Sequence, residues 1–297
     1  MELIWSQIIR PLVAIALLGS LVACSAVKLA YNNLPDIAYW SIDGYVDMNE
    51  AQTLQLRADL TRLHDWHRTQ EMPRIADFLR DMQRTAPVDT TAQDVCKWFD
   101  DGLLRIDAVV TQAEPATVAL ALSLRPEQIR HIERKFDKGN TEWRREWVSG
   151  ERTEHLDKRL KASVERAEQF YGTLDSKQRA VLQAAMARSG FNPERWYAER
   201  QRRQQDLLQT LRALGTGNGN GTAQPTAAQA TAALRGYRER LMRSPDPLYR
   251  AYAEAAIQDN CRTYAQLHNS TTAQQRARAV SRLAAYERDA REVAIVR

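Results

Sequence analysis

Histidines, carboxylates and cysteines are the side chains in this sequence whose spacing could carry chemistry. His64-Asp65-Trp66-His67 sets two imidazoles three residues apart. On a helix that spacing puts both on one face, able to share a metal, with Glu71 a turn further on. His-Glu-x-x-His is absent and no second cluster adds ligands, so no metal is expected. The simpler reading is that His64 and His67 hydrogen-bond at the edge of a helix interface. Asp43/Asp47 and Asp100/Asp101 are acidic pairs of the kind a glycan hydrolase would need, but acidic residues are common here and helix-end and surface charges are the preferred explanation. The sequence has no Gly-x-Ser-x-Gly elbow, phosphate loop or dinucleotide fingerprint. No catalytic residue and no enzyme is expected, with an envelope hydrolase kept as an alternative.

The cysteines say more. Arg10 is followed by an apolar run from Leu12 to Ser20 and then by Leu21-Val22-Ala23-Cys24. The run is shorter than the roughly 20 apolar residues that span a bilayer. It has the size of a signal-peptide core. The small Ala23 lets a peptidase cut before Cys24, and the Cys24 thiol can accept a diacylglyceryl group. The stretch looks like a bacterial lipobox. The expected organisation is a signal peptide over 1–23 and a mature chain over 24–297. Cys24 would carry covalent diacylglycerol and an N-acyl chain (palmitate-type lipidation). Two or more acyl chains give stable anchoring where one does not. Ser25, in place of the aspartate that retains enterobacterial lipoproteins, points to the periplasmic face of the outer membrane.

Cys96 and Cys261 then remain as an even pair in an oxidising compartment. A bridge between them would staple the first part of the fold to the last, worth about 4–5 kcal/mol by chain entropy. Two buried free thiols are the alternative. A nucleophilic Cys96 would need a reduced thiol and a basic partner. The net charge of +5 is too mild to demand a polyanion, and export removes nucleic acid as a partner.

The positioning elements read as helices. Val95, Trp98, Phe99, Gly102, Leu103, Ile106, Val109 and Val110 recur at three and four. Leu56, Leu60, Leu63 and His67 do the same, as do Ile75, Phe78, Leu79 and Met82. A long stripe is expected from Ile129 through Trp143 and Trp147 and on to Leu156, Leu160, Val164 and Tyr171. The arginines around Trp143 and Trp147 suggest a basic-aromatic surface or, more simply, a core stripe with solvated flanks. Arg200-Gln201-Arg202-Arg203-Gln204-Gln205 reads as a solvated face near a helix C-terminus. No alternating β-branched run occurs. The expected fold is all-α, a multi-helix bundle or array with one long central helix. Asn49…Gln52, Asp175…Gln178 and Thr272…Gln275 are helix starts of capping-box type, and Pro126 opens another. Residues 215–225 form a glycine-rich loop or a boundary between lobes. No comparable spacer separates Cys24 from the first helix near Pro35, so the body should sit close to its membrane.

Asp43-Gly44-Tyr45-Val46-Asp47-Met48-Asn49-Glu50-Ala51-Gln52, His67-Arg68, Glu71-Met72-Pro73, Leu124 to Gln128 and Gly172 to Arg179 together resemble a family of Gram-negative lipoproteins of unestablished function. That resemblance implies no known activity. Leu124 to Gln128 and Leu174 to Gln178 are also faintly similar to the leucine-threonine-x-x-glutamine motif of Spy/CpxP-type periplasmic helical chaperones, without its threonine. The expected function is a lipid-anchored, non-enzymatic scaffold or binding module with an envelope protein partner. A chaperone-like holdase is the main alternative.

Overall fold

The structure, a computed structural model, describes residues 29–215 and 224–295 apart from the side chain at position 152. The expected signal peptide, its expected junction at Ala23 and Cys24, and most of the glycine-rich run lie outside the described residues. Among the described residues there are twelve α-helices and one π-helical turn, and no strand. The fold is all-α.

Helices α1 (Leu34–Val46) and α2 (Glu50–Trp66) form a hairpin closed by Asp47, which sits in the left-handed region at φ 58°. Asn49 caps α2 by accepting from the Gln52 N–H, and Gln52 returns the bond to the Asn49 N–H. Beyond Trp66 the helix continues through a π-turn, His67–Glu71, into α3 (Met72–Thr85). Pro73 supplies the cause. Its ring has no N–H and collides with the carbonyl four residues back, and a widened turn absorbs both effects without ending the helix. The long helix therefore lies at Glu50–Thr85. The stripe expected to run from Ile129 to Tyr171 is carried by two helices, α6 (Pro126–Trp147) and α7 (Arg152–Tyr171). They are interrupted at Ser149-Gly150, where a Cβ on Gly150 would stand 3.0 Å from the His155 ring.

The remaining helices are α4 (Ala92–Gln112), α5 (Glu114–Ser123), α8 (Ser176–Arg188), α9 (Pro193–Leu214), α10 (Ala227–Met242), α11 (Pro247–Asn269) and α12 (Ala273–Ile295). The protein has two cores. In the first half Val46, Val118, Leu124, Ile129, Ile132, Leu208, Leu211 and Leu234 pack together from α1, α5, α6, α9 and α10. In the second, Val164, Leu174, Leu182 and Leu267 join α7, α8 and α11, while α12 lies along α3 and α7. The chain passes repeatedly between halves, through the long α2–α3 helix first. The helices flanking the glycine-rich run, α9 and α10, pack on each other within the first half. Gly215 ends α9 where a Cβ would stand 2.7 Å from the Leu124 carbonyl oxygen, so only glycine allows that approach.

Each half is pinned by a pair of glutamines. Gln52 Nε2 donates to Gln128 Oε1 at 3.2 Å and Gln128 Nε2 donates to Gln52 Oε1 at 2.7 Å. The second amide hydrogens reach the Ser123 and Asp47 carbonyls, the last residues before the opposite turns. In the second half Gln178 and Gln275 repeat the arrangement at 2.7 and 3.0 Å, with their other hydrogens on the Ser270 and Thr173 carbonyls. All four side chains also accept from the N–H of their own helix cap. The capping boxes therefore do more than start helices, because they also lock two helical hairpins together turn to turn. Cys96 in α4 and Cys261 in α11 are joined by a disulfide with Cα atoms 5.4 Å apart, as their even count had suggested.

Candidate functional site

A cavity of about 560 Å³ lies in the first half, within the range typical of ligand sites. The apolar faces of the helices that frame it stand apart across a gap. Leu124, Ile132 and Leu211 line it from the core side. Ile42 and Tyr45 of α1, Phe136 of α6, Leu120 of α5 and Leu207 of α9 form its walls, and Val110 comes from the end of α4.

Most of the polar lining residues come from α5 and α10. Arg235 of α10 holds Glu114 of α5 in a fork, with Nε and Nη2 donating to the two carboxylate oxygens at 2.8 and 2.7 Å. The hydrogen bond from Arg235 holds the Glu114 carboxyl below its usual range. Arg238 pairs with Asp107 and donates to the Thr111 hydroxyl at 3.2 Å. Tyr237 is pushed above the ordinary phenol value, by burial first and then by Asp206. Ser41 and Thr117 complete the polar lining. Among the lining residues Glu114 is the one carboxylate, and it is neutralised. The arrangement suits an apolar group.

The histidines predicted from sequence lie elsewhere, on the face of α2 that meets residue 31. His64 Nε2 bonds the Tyr31 carbonyl oxygen at 3.0 Å, and His67 Nδ1 bonds the Tyr31 hydroxyl at 2.9 Å. Burial lowers the pKa of both imidazoles and raises the Tyr31 phenol to about 12. Glu71, which the sequence offered as a third ligand, is fully buried and held by Arg74 at 2.7 Å and Arg105 at 3.3 Å. The π-turn carries it into that position. Among the described residues no group of three or more metal-binding side chains converges. A similar Tyr–His contact recurs in the second half. Tyr171 bonds His268 Nδ1 at 2.8 Å, and His268 Nε2 bonds the Val88 carbonyl at 2.9 Å.

The acidic pairs are local. An Asp43 carboxylate oxygen accepts from the Met48 N–H at 2.8 Å, closing the α1 terminus, and Asp101 pairs with Lys97. Trp143 stacks on Tyr197 with ring centroids 5.7 Å apart, and Trp147 meets Phe191 edge-on, so both tryptophans serve packing. The Arg200–Gln205 run departs from its expected role as a solvated face. It lies in mid-α9, where Arg202 and Arg203 both pair with the buried Glu199 at 2.8 and 2.7 Å. Arg200 donates to Asn140 and Gln204 accepts from it. Burial pushes the Glu199 carboxyl up, but bonds from Arg202, Arg203 and Ser244 outweigh it and hold the group low. The α4 stripe also differs: no α4 residue is buried, and Phe99, Leu104, Ile106 and Val110 stand exposed.

A smaller cavity of about 230 Å³ between α7 and the start of α9 was not foreseen. His155 is buried there, and the Arg159 guanidinium lies 4.3 Å from the Phe191 ring. Arg159 donates to Ser189 at 3.1 Å, but its Nη1 is buried without a partner. Burial pushes this guanidinium below its usual pKa.

No curated protein and no solved structure matches the chain. Residues 44–222 match the model of a family of unknown function (DUF6279). The match takes in the α2–α3 helix, Cys96, three of the four clamp glutamines and most of the cavity wall. The chain belongs to this family of unknown function.

Proposed function

We propose that this protein is exported, lipid-anchored through Cys24 on the periplasmic face of the outer membrane, and acts as a non-enzymatic binding module. Its working element in this reading is the first-half cavity, which holds an apolar chain such as an acyl group. One observation carries the proposal: about 560 Å³ of space is lined by aliphatic and aromatic carbon, and its charged groups are already paired. A hydrolase acting on glycans needs two placed carboxylates, and this cavity offers one, engaged by Arg235. The Leu-Val-Ala-Cys sequence ending at Cys24 supports the anchor.

The test has two measurements. Intact mass of the protein purified from its own membranes should give a chain beginning at Cys24 with diacylglycerol and an N-acyl chain; a retained leader or a bare thiol would sink the anchor. Titration with a fluorescent fatty-acid analogue should show binding that Thr117→Trp, on the α5 wall of the cavity, weakens about tenfold or more. No binding, or binding indifferent to that substitution, would remove the cavity from the reading.

A second reading, a chaperone-like holdase, draws on the exposed apolar residues of α4 beside the cavity and on the glutamine-marked helix starts. It predicts slower aggregation of an unfolded client. No protection at equimolar ratio would end it.

A further inference from the structure

Helix α1 presents a face that the described residues leave largely uncovered. Leu34 is 48% exposed, Ile37 53% and Trp40 64%. At 100° per residue, Asn33, Leu34, Ile37, Trp40, Ser41 and Gly44 fall on one side of α1, and none carries a charge. At its margin Asp36 is paired with Arg57 at 2.6 Å, and the Arg57 guanidinium lies 5.7 Å from the Trp40 ring centroid. In a chain with 27% charged residues, an outward arc of this width without one is unusual, since surface helices ordinarily put their charges on that side. The opposite side of α1 is spent on the fold, with Tyr39 and Val46 buried.

Chain length says what lies against this face. Leu29 is five residues after Cys24, so the two α-carbons are at most about 18 Å apart. If Cys24 is anchored, α1 cannot leave the vicinity of the leaflet. We propose that the outward face of α1 lies in the phospholipid leaflet that holds the anchor, as an interfacial helix with Trp40 at headgroup depth. This rests on the lipid-anchor reading and adds an orientation to it. Ser41 and Tyr45 border both this face and the cavity, so docking α1 brings the cavity beside the membrane. The acyl chains of that leaflet then become its nearest apolar ligands.

The full chain, purified from membranes, is reconstituted into phosphatidylethanolamine–phosphatidylglycerol vesicles with or without brominated acyl chains. Brominated lipid should quench part of the tryptophan emission, and Trp40→Phe should remove that part. Ile37→Asp should reduce it by roughly half or more with helical circular dichroism unchanged. Quenching that is absent, or identical in Trp40→Phe, overturns the proposal. So does a photo-cross-linker at position 37 that traps a protein or a second copy and no lipid. Intact mass of the same sample separates the two readings. A lipidated chain without Trp40-dependent quenching keeps the anchor and loses the docked face; an unlipidated chain with it does the reverse.

Discussion

The two halves of the molecule solve the same problem and then diverge. Gln52 with Gln128, and Gln178 with Gln275, each join two helical hairpins through a reciprocal amide pair in which every donor and acceptor is used. Two tyrosine hydroxyls are also tied to histidines, Tyr31 to His67 at the π-turn and Tyr171 to His268 in the second half. Around the second clamp the helices close on Leu182 and Leu267, and α11 is further fixed by the disulfide. Around the first they stand apart and leave the apolar cavity. A clamp at the turns sets how hairpins meet; it does not set how far their bodies converge. The gaps near the second clamp are smaller, about 320 Å³ between α8 and α11 and about 380 Å³ between α3 and α4, against about 560 Å³ in the first half.

The largest break in this comparison should come from the disulfide. Cys96→Ala with Cys261→Ala releases a closure spanning 165 residues, a loss of about 4–5 kcal/mol in the chain-entropy account. The melting temperature should fall by roughly 10 °C or more, and reductant should then have no further effect. A variant that melts like the parent would mean that the second half needs no staple.

Next in size are the clamps. Gln128→Leu takes away the partner of the Asp47 carbonyl and of the Arg125 N–H and leaves Gln52 Oε1 with only the Asn49 N–H, in a buried setting. The expected cost is about 2–4 kcal/mol. Gln275 is half-buried, so water can replace part of what Gln275→Leu removes, and about 1–2 kcal/mol is expected. Chemical denaturation of both variants checks the ranking; equal losses would mean that burial does not distinguish the two pairs.

Acid should test both halves through their histidines. Burial lowers the pKa of His64, His67 and His268 in the folded protein, against about 6.5 when unfolded. The unfolded chain therefore binds protons first. The stability these residues contribute is intact above about pH 7 and is lost as pH falls from about 6.5 through their lower folded values. Melting temperature followed from about pH 7.5 to 5 should decline. His268→Gln should flatten the slope by one proton's share. A slope unchanged by that substitution would assign the decline to other groups.

Much of this architecture was legible in the residues themselves, and the reasons are local. Capping boxes, Pro126 and helical periodicity depend on neighbours three or four residues away, so the helix starts at Glu50, Ser176 and Ala273 could be read directly. The break at Ser149-Gly150 carried its own signal in the glycine, overridden by the apolar stripe on either side. The π-turn was signalled by Pro73, which ordinarily ends a helix and here widens one. What could not be read is whatever joins distant segments. The glutamines of each clamp lie 76 and 97 residues apart, and the cavity draws on α1, α4, α5, α6, α9 and α10. Arg202 and Arg203 looked solvated because nothing local reveals that Glu199 is buried beneath them.

The smallest expected effect concerns Arg159, and it sharpens the contrast by probing a charge that neither clamp nor core uses. Its guanidinium donates one bond to Ser189, lies over Phe191 and leaves Nη1 buried without a partner. Desolvating that N–H opposes folding, while the Ser189 bond and the ring contact favour it. Arg159→Met keeps an unbranched chain over the ring and removes both the bond and the orphaned donor. The two changes should nearly cancel, within about 0.5 kcal/mol in denaturant unfolding. A loss of about 2 kcal/mol or more, on the scale of a broken buried network, would instead mean that this guanidinium is a principal tie between α7 and α9.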